Sequence, residues 1–372
     1  MQTAAAMNKP MIPLTLRSIS AEIVVVPMAR PLWTSAQVFS EAPLLLVDLQ
    51  TEEGLVGHAY LFCYVRAAGG AIKSIINDIS TRLSGKTVTP MAFRKALADY
   101  SRLIGQRGIM SMAAAAVDMA AWDALSKAAQ LPLVRMLGAE PQPIKAYNSN
   151  GLGLISPQAA AEEAVQLLDG GFTGVKMRLG RSTAQADLAA VRAVRQALPD
   201  RVALMADFNQ MLSPAEALKR CAMLDGEGLY WIEEPIRHDD YASYALLKRN
   251  LVTPLQIGEN FAGPKAMAAA LANRCVDFVM PDAERIGGVS GWIDAAALAA
   301  AHDMEISSHL FPEISAHLLA ASPTCHWLEY VDWASPILAS PQKIVNGCLT
   351  PGDAPGCGLT WNQEAVARYR ID

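Results

Sequence analysis

The sequence predicts an α/β protein built as a modified (β/α)7β TIM barrel with an N-terminal α+β capping domain. From residue 144 onward, apolar runs that end in a polar residue recur about every 25 residues, a spacing typical of successive βα units in a barrel. Helical patterns separate these runs. Before residue 144, a hairpin pattern is followed by helices, which indicates a second, smaller domain.

The clearest apolar run is Leu229–Ile232, which ends in the adjacent carboxylates Glu233 and Glu234 and is stopped by Pro235. A carboxylate at the end of a buried strand is costly unless a cation lies beside it. Because functional residues of barrels lie at the C-terminal ends of several strands, this pattern predicts an active site. The other runs end in polar residues in the same way: Lys176 and Arg178, Asp207 and Asn209, Glu259, Asp282, His309 and Glu329.

The chain has 372 residues, which is long enough for a barrel of about 250 residues and a second domain. We place the capping domain at residues 1–143, the barrel at 144–330, and a C-terminal segment at 331–372 that packs back on the cap. This segment is rich in proline and shows no helical period, so we predict no helix in it. Residues 1–12 resemble a loose leader.

The cap is predicted to contain a strand from Ser20 to Met28 and a hairpin whose strands, 44–49 and 55–61, flank a turn at 51–54. Residues 31–43 are predicted to form a loop, which carries the large apolar residues Leu32, Trp33, Val38 and Phe39. Such a loop either covers a ligand or folds onto its own domain. The predicted barrel strands span residues 144–149, 174–180, 202–209, 229–235, 255–260, 277–282, 305–309 and 326–330.

Composition excludes several classes of protein. Apolar residues make up 52% and charged residues 18% of the chain, which suits a large core and excludes a disordered protein. The net charge of −5 and the absence of a basic run argue against nucleic acid or a membrane surface as partner. There is no signal-peptide pattern, and the six cysteines form no C-x-x-C pair. We therefore expect reduced thiols and a cytoplasmic protein.

Asp207, Glu233 and Glu259 end three consecutive predicted strands, so their side chains converge in a closed barrel. Three neighbouring carboxylates repel one another unless a cation lies among them. All-oxygen ligation favours a hard divalent ion, Mg²⁺ ahead of Mn²⁺. The structural alternative is that each carboxylate caps a helix or forms a salt bridge, which explains one such residue more readily than three at matched positions.

Lys176 and Arg178 are two residues apart on a strand, so both side chains point to the same face. Two cations beside a metal suit a substrate carboxylate, although they could also serve only to neutralise the acids. Asp282 and His309 end adjacent strands, where a carboxylate orients an imidazole as a general base. Glu329, on the eighth strand, could donate a proton to an enolate oxygen if it were protonated.

These motifs together resemble the enolase superfamily and, within it, the mandelate racemase subgroup. The ordered set comprises Lys176-x-Arg178, Asp207-Phe-Asn209, Trp-Ile-Glu233-Glu-Pro, Gly-Glu259-Asn, Pro-Asp282 followed by Ile-Gly-Gly-Val, and Ser-His309-Leu. The resemblance implies Mg²⁺ at Asp207, Glu233 and Glu259, His309 with Asp282 as one base, and Lys176 and Glu329 on the substrate carboxylate. It also implies substrate contacts at Ser149 and Asn209, a specificity wall formed by Tyr64 and the loop with Trp33 and Phe39, and a homo-oligomer, an octamer.

One position departs from the racemase pattern, in which the second residue of Lys-x-Lys is the base on the opposite face of the substrate. Here that residue is Arg178, and a guanidinium donates protons but is a poor proton acceptor. The first hypothesis is a Mg²⁺-dependent racemase of mandelate-like 2-hydroxycarboxylates. The alternatives are an acid-sugar dehydratase that uses His309 as its single base, and a catalytically silent barrel that binds a carboxylate.

Overall fold

The computed structural model describes residues 13–371, so the predicted leader at residues 1–12 lies outside the described residues. The chain begins with an antiparallel sheet in the order β1–β2–β3. Its strands are β1 (Leu16–Trp33), β2 (Val38–Thr51) and β3 (Val56–Phe62). The predicted hairpin turn joins β2 to β3, and the amide of Gly54 donates to the carbonyl of Thr51 at 3.1 Å.

The prediction of a loop at residues 31–43 is wrong for most of this range. Strand β1 continues to Trp33 and β2 begins at Val38, and Trp33 pairs with Val38 across the hairpin. Only residues 34–37 form the turn between the two strands. Prolines 31 and 43 suggested a break, but Pro31 lies in β1, an edge strand whose register shifts between Pro27 and Leu32, and Pro43 lies in β2 just before its pairing with β3 begins at Leu44. Edge strands and bulges accommodate proline because no ladder hydrogen bond is lost there.

Helices cover one face of this sheet. They are α1 (Arg66–Leu83), α2 (Pro90–Tyr100), α3 (Ile109–Ala128) and the short α4 (Leu133–Met136). Helix α3 is Ala-rich and buried along most of its length, because it packs against β3 on one side and against helices of the barrel on the other. Small side chains permit this close approach of two layers.

The rest of the chain forms the predicted parallel sheet, in the order β10-β4-β5-β6-β7-β8-β9, with helices between its strands. The strands are β4 (Ile144–Asn148), β5 (Gly174–Arg178), β6 (Ala203–Asp207), β7 (Leu229–Glu233), β8 (Leu255–Ile257), β9 (Phe278–Val279) and β10 (Leu328–Tyr330). The helices are α5 (Pro157–Gln166), α6 (Ala184–Ala197), α7 (Pro214–Leu224), α8 (Tyr241–Asn250), α9 (Pro264–Ala272), α10 (Ala283–Ile286), α11 (Gly288–Ala301) and α12 (Pro312–Ala320). The α/β barrel with an N-terminal cap is therefore confirmed.

The predicted strand at residues 305–309 is reduced to isolated bridges. Ile306 bridges Val279 on one side and Cys325 on the other, and His309 bridges Asp282. These contacts close the ring between β9 and β10. Closure brings the polar ends of all the strands to one rim of the barrel.

A layer of large side chains fills the barrel directly below that rim. Met205 and Trp231, each two residues before an acidic strand end, pack with Tyr147 and Trp327, and all four are buried. The barrel interior is therefore a packed core rather than a channel. A ligand can reach the polar strand ends only from the side that the cap covers.

The C-terminal segment contains a helix that the sequence pattern did not predict, α13 (Gln363–Tyr369). Asn362 caps it by accepting a hydrogen bond from the amide of Ala365 at 3.1 Å. The helix follows the last proline of the segment, so the prolines did not exclude it. The segment contacts the cap sheet, where Trp361 Nε1 donates to Asp48 Oδ1 at 2.8 Å. It also contacts the barrel, because β11 (Cys348–Leu349) pairs with β4.

Two further observations concern the cysteines and the helices. All six cysteines lie within the described residues and are free thiols. No helix in residues 13–371 has the length and apolar character needed to cross a membrane.

Candidate active site

Three acidic side chains meet where β6, β7 and β8 end. Asp207, Glu233 and Glu259 each offer a carboxylate oxygen, and these oxygens lie within 4.8 Å of one another. Asp207 and Glu233 are buried. An all-oxygen set of this kind fits a hard divalent cation, in agreement with the ligands predicted from the sequence.

The electrostatics of this cluster also fit a cation. Burial raises the pKa of Glu233 to about 8, with Lys176 opposing the shift and Asp207 adding to it. Burial likewise raises the pKa of Glu259, against the opposing charge of His309. Raised values mean that the protein's own cations do not fully compensate these carboxylates, and a divalent ion among them would do so.

Lys176 lies at the centre of the acidic side chains. Its Nζ is 2.6 Å from Glu233 Oε1, 2.8 Å from Glu329 Oε1 and 3.7 Å from Asp207 Oδ2. Burial lowers the pKa of Lys176, but these three carboxylates outweigh it and hold the pKa well above its ordinary value. Lys176 is therefore a permanent cation that links the acidic cluster to the opposite side of the site.

The guanidinium of Arg178 is engaged by the backbone. Nη1 donates to the carbonyl of Ser149 at 2.9 Å and to that of Gly151 at 3.3 Å, and Nη2 donates to the hydroxyl of Ser149 at 2.9 Å. Ser149 itself is fully buried beneath the guanidinium. Arg178 lines the site cavity, yet these contacts commit both terminal nitrogens, which suits a fixed cation rather than a base.

His309 and Asp282 form the pair that the sequence predicted. His309 Nδ1 lies 2.5 Å from Asp282 Oδ2, so Nδ1 carries the proton and Nε2 is left to face the cavity. Nε2 is 3.4 Å from Glu259 Oε2 and 3.8 Å from Glu329 Oε2. Burial lowers the pKa of His309, but Glu259, Glu329 and Asp282 outweigh it and raise the pKa to about 9.

Glu329 differs from the expectation of a protonated acid. Burial raises its pKa, but the charges of Lys176, His309 and Arg178 outweigh burial and hold the pKa well below its ordinary range. Its Oε2 accepts a hydrogen bond from the amide of Leu310 at 2.9 Å. Glu329 is therefore an ionised partner that holds Lys176 and the turn after His309 in place.

Asn209 is oriented by a metal-ligand candidate. Its Nδ2 donates to Asp207 Oδ2 at 2.9 Å, which leaves Oδ1 buried and without a partner among the described residues. Asn209 lines the cavity, as predicted. Its backbone has a positive φ of 46°, and Tyr64 and Leu310 on the same cavity also have positive φ, 61° and 50°. Tyr and Leu adopt such a backbone at a cost, which is common at functional sites, whereas Asn tolerates it more readily.

The cap side of the cavity is aromatic. Tyr64 and Phe39 line it as predicted, but Trp33 does not and is instead 50% exposed. The sequence analysis missed Phe62 and Trp333, whose rings complete the wall with a centroid separation of 5.0 Å. Phe62 directly follows the predicted strand at residues 55–61, so its position was a usable signal. Trp333 follows β10 in the tail, where nothing in the sequence pattern indicated it.

Two sets of contacts hold this wall against the barrel. The amide of Phe62 donates to the buried carboxylate of Glu284 at 3.1 Å. At the hairpin tip, Ser35 Oγ donates to the carbonyl of Phe208 at 2.8 Å, and the amide of Leu154 donates to the carbonyl of Trp33 at 2.8 Å. Gly153 permits this second contact, since a Cβ there would lie 2.7 Å from Trp33 backbone atoms.

Comparisons with known proteins agree with this architecture. Residues 18–138 match the family model of the mandelate racemase/muconate lactonizing enzyme N-terminal domain, and residues 159–365 match that of the enolase C-terminal domain. An L-talarate/galactarate dehydratase from Salmonella typhimurium is 29% identical over 362 residues, which cover 93% of this chain and 89% of that protein. Other relatives are named cycloisomerases and an epimerase.

Two solved structures are more similar in sequence. An enolase from the alpha-proteobacterium BAL199 with bound magnesium is 43% identical, with a TM-score of 0.94, covering 96% of this chain and all of that one. An enolase from Bradyrhizobium in complex with magnesium and mandelic acid is 38% identical, with a TM-score of 0.93, covering 97% of this chain and all of that one. Relatives of this kind are dehydratases, cycloisomerases and epimerases, so the chain is an enzyme. It belongs to the enolase superfamily, in the mandelate racemase/muconate lactonizing enzyme family.

Proposed function

We propose that this protein is a Mg²⁺-dependent enzyme that uses His309 as its single base to remove the α-proton of a 2-hydroxycarboxylate. The observation that carries the proposal is the orientation of His309: Asp282 holds Nδ1 at 2.5 Å, and Nε2 faces the cavity beside the carboxylate cluster. A histidine held in this way presents a basic nitrogen to a bound substrate. The magnesium-bound relatives support Mg²⁺ as the ion, with Mn²⁺ as its substitute.

Asp207, Glu233 and Glu259 would hold the ion, which would supply electrostatic stabilisation to the substrate carboxylate as it becomes an enediolate. Lys176 would donate a hydrogen bond to the same carboxylate, because its charge is fixed by Glu233 and Glu329. A cation held by Glu259 would neutralise the largest charge that raises the pKa of His309. His309 would then titrate closer to neutral pH, where a base must be unprotonated to act.

The contacts of Arg178 favour dehydration over racemisation. Racemisation needs an acid and a base on both faces of the substrate, and Arg178 occupies the position of the second base with its terminal nitrogens bound to Ser149 and Gly151. Elimination of a β-hydroxyl needs only one base, which His309 provides. The Salmonella dehydratase, similar over most of this chain, also supports this choice.

The mandelate-like racemase remains the second candidate. The Bradyrhizobium relative holds mandelic acid, and the aromatic wall of this chain suits the same kind of substituent. A catalytically silent carboxylate-binding barrel is a third candidate, but a site that only binds has no use for an oriented imidazole. We also propose a cytoplasmic homo-oligomer, an octamer, which light scattering after size-exclusion chromatography would test.

Hydrogen exchange tests the proposal directly. The Mg²⁺-loaded enzyme is incubated in D₂O with mandelate and with a panel of sugar acids, and deuterium at C2 is followed by NMR together with 2-keto acid formation. We expect exchange or keto acid with the wild type and a loss of at least about 10³-fold in His309→Asn. His302→Asn serves as the matched control, since His302 ends helix α11 outside the site. Exchange that persists undiminished in His309→Asn would refute the proposal.

A further inference from the structure

The cavity has a polar floor and an apolar roof. The polar residues of its floor are Asp207, Glu259, Lys176, Arg178, Asn209 and His309. Its roof consists of Leu32, Phe39, Phe62, Tyr64, Leu310 and Trp333. The roof is tightly joined, because the Phe62 ring lies 5.7 Å from Phe39, 4.5 Å from Tyr64 and 5.0 Å from Trp333. The two ends of a bound substrate therefore meet different chemistry.

The roof offers few partners for hydroxyl groups. Thr34 also lines the cavity, but its hydroxyl already donates to the carbonyl of Gln37 at 2.9 Å and accepts from the amides of Ala36 and Gln37. Tyr64 alone keeps a free hydroxyl on this side among the described lining residues. A hydroxyl buried without a partner costs about 1–3 kcal/mol, so an extended polyhydroxy chain would bind poorly here.

A second carboxylate would bind poorly for a similar reason. The cations among the described lining residues are Lys176, Arg178 and His309. Lys176 is paired with Glu233 and Glu329, and Arg178 is committed to backbone carbonyls. No free cation remains for the far carboxylate of a sugar diacid, and burying that charge unpaired is strongly unfavourable.

The floor, by contrast, has unused hydrogen-bonding atoms. Asn209 Oδ1 is a buried acceptor without a donor, and Arg178 Nε is a buried donor without an acceptor. A hydroxyl group can serve either atom, because it both donates and accepts. A substrate with two hydroxyls on its reacting end can serve the two atoms separately.

We propose, on the basis of the function proposed above, that the substrate is a 2,3-dihydroxycarboxylate with an apolar, preferably aromatic, group on C3. His309 takes the proton from C2, the C2–H electron pair forms the C2–C3 double bond, and the C3–O bond breaks. The leaving hydroxide takes the proton from His309 and departs as water. The resulting enol tautomerises to a 2-keto acid, so substrate equals product plus water and no redox partner is required.

The experiment compares three kinds of acid with the Mg²⁺-loaded full chain: each stereoisomer of 2,3-dihydroxy-3-phenylpropanoate, galactarate, and mandelate. Keto acid is measured as its hydrazone, and deuterium at C2 is measured in D₂O. We expect phenylpyruvate from at least one stereoisomer, with kcat/KM at least about 100-fold above that of galactarate, as one or two unpaired hydroxyls would produce.

Three other outcomes would each overturn a different part of the proposal. Galactarate dehydrated as fast as the phenyl acid would overturn the apolar substrate class. Deuterium exchange into the phenyl acid without keto acid would overturn the elimination and leave the proposed function standing. Neither exchange nor keto acid with any of the acids would overturn the proposed function itself.

Two variants test whether the apolar group of the substrate binds against the roof. Phe39→Ala removes a ring of the roof, whereas Val38→Ala, one residue away, alters a side chain that is 55% exposed. We expect Phe39→Ala to lower kcat/KM for the phenyl acid about 10-fold and to leave that for 2,3-dihydroxybutanoate within about 3-fold. Equal losses with both acids, or equal effects of the two variants, would contradict the assigned position.

Discussion

Asp118, in the capping domain, binds the first turn of a barrel helix through Ser290. Its Oδ2 accepts from the amide of Ser290 at 2.9 Å and its Oδ1 accepts from the Ser290 hydroxyl at 2.5 Å. Ser290 lies in the first turn of α11, so a side chain of α3 satisfies an amide at the start of a helix in the other domain. Gly288 makes room for it, since a Cβ there would lie 2.5 Å from Asp118 Oδ2. The Gly-Gly motif seen in the sequence therefore serves cap docking.

Asp118→Ala is expected to lower the free energy of unfolding by about 1–3 kcal/mol, because it leaves buried donors of α11 without an acceptor. Chemical denaturation followed by circular dichroism measures this loss. Asp78→Ala is the matched control in a cap helix, where the pair with Arg82 is exposed and screened by solvent and is expected to contribute little to stability. Equal losses in the two variants would show that the cap contact does not stabilise the fold.

Mg²⁺ is expected to raise the thermal midpoint of the protein by several degrees, because an ion bound only by the folded state stabilises it by about 2.7 kcal/mol at 100 times its Kd. Glu259→Gln should abolish this shift and leave the metal-free midpoint unchanged or higher, since it removes one repelling carboxylate. Differential scanning fluorimetry with and without EDTA measures both effects. The exposed Glu305→Gln is the control, and a lost Mg²⁺ response in that variant would argue against a local site.

Arg178→Lys is expected to add racemisation of mandelate to the activity of the enzyme. The shorter side chain would break the contacts with Ser149 and Gly151 and place in the cavity an amine, which can lose its proton and so act as a second base besides His309. Polarimetry of each mandelate enantiomer should show at least about a 10-fold gain in inversion over wild type. A wild type that already inverts both enantiomers rapidly would contradict this account of Arg178.

The features that could be predicted from the sequence are those that a local pattern along the chain encodes. Strand ends such as Asp207, Glu233 and Glu259 were predictable because the βα spacing fixes which residues reach the same rim. The aromatic roof was only half predictable. Phe62 and Trp333 meet there because the cap and the C-terminal segment fold over the barrel, and no local period encodes that contact. The commitment of Arg178 to carbonyls depends on a main-chain path that a residue type alone does not reveal.

Ser35→Ala is expected to raise KM between about 2- and 10-fold with a smaller change in kcat. The Ser35 hydroxyl donates to the carbonyl of Phe208 at 2.8 Å, next to Asp207, and one such bond contributes about 0.5–1.5 kcal/mol to holding the hairpin over the site. Ser18→Ala, which removes a hydroxyl from β1 far from the hairpin tip, is the control. Steady-state kinetics with the acid that the wild type turns over most efficiently measure KM and kcat. An unchanged KM would show that the hairpin stays closed without this bond.

The buried side chain of His317 is expected to make the stability of the protein depend on pH. Burial lowers its pKa to about 4 from an ordinary 6.5, and Nδ1 accepts from the amide of Val134 at 3.2 Å. Because the folded state keeps the neutral form, its contribution to stability is complete above pH 6.5 and is lost as the pH falls toward 4, at most about 3 kcal/mol. His317→Asn, whose Oδ1 can accept the same bond, has no such titration. The gap in unfolding free energy between wild type and variant should therefore narrow from pH 7 to pH 4, and denaturant titrations at both pH values measure it. A gap that stays constant or widens would mean that His317 is protonated in the fold.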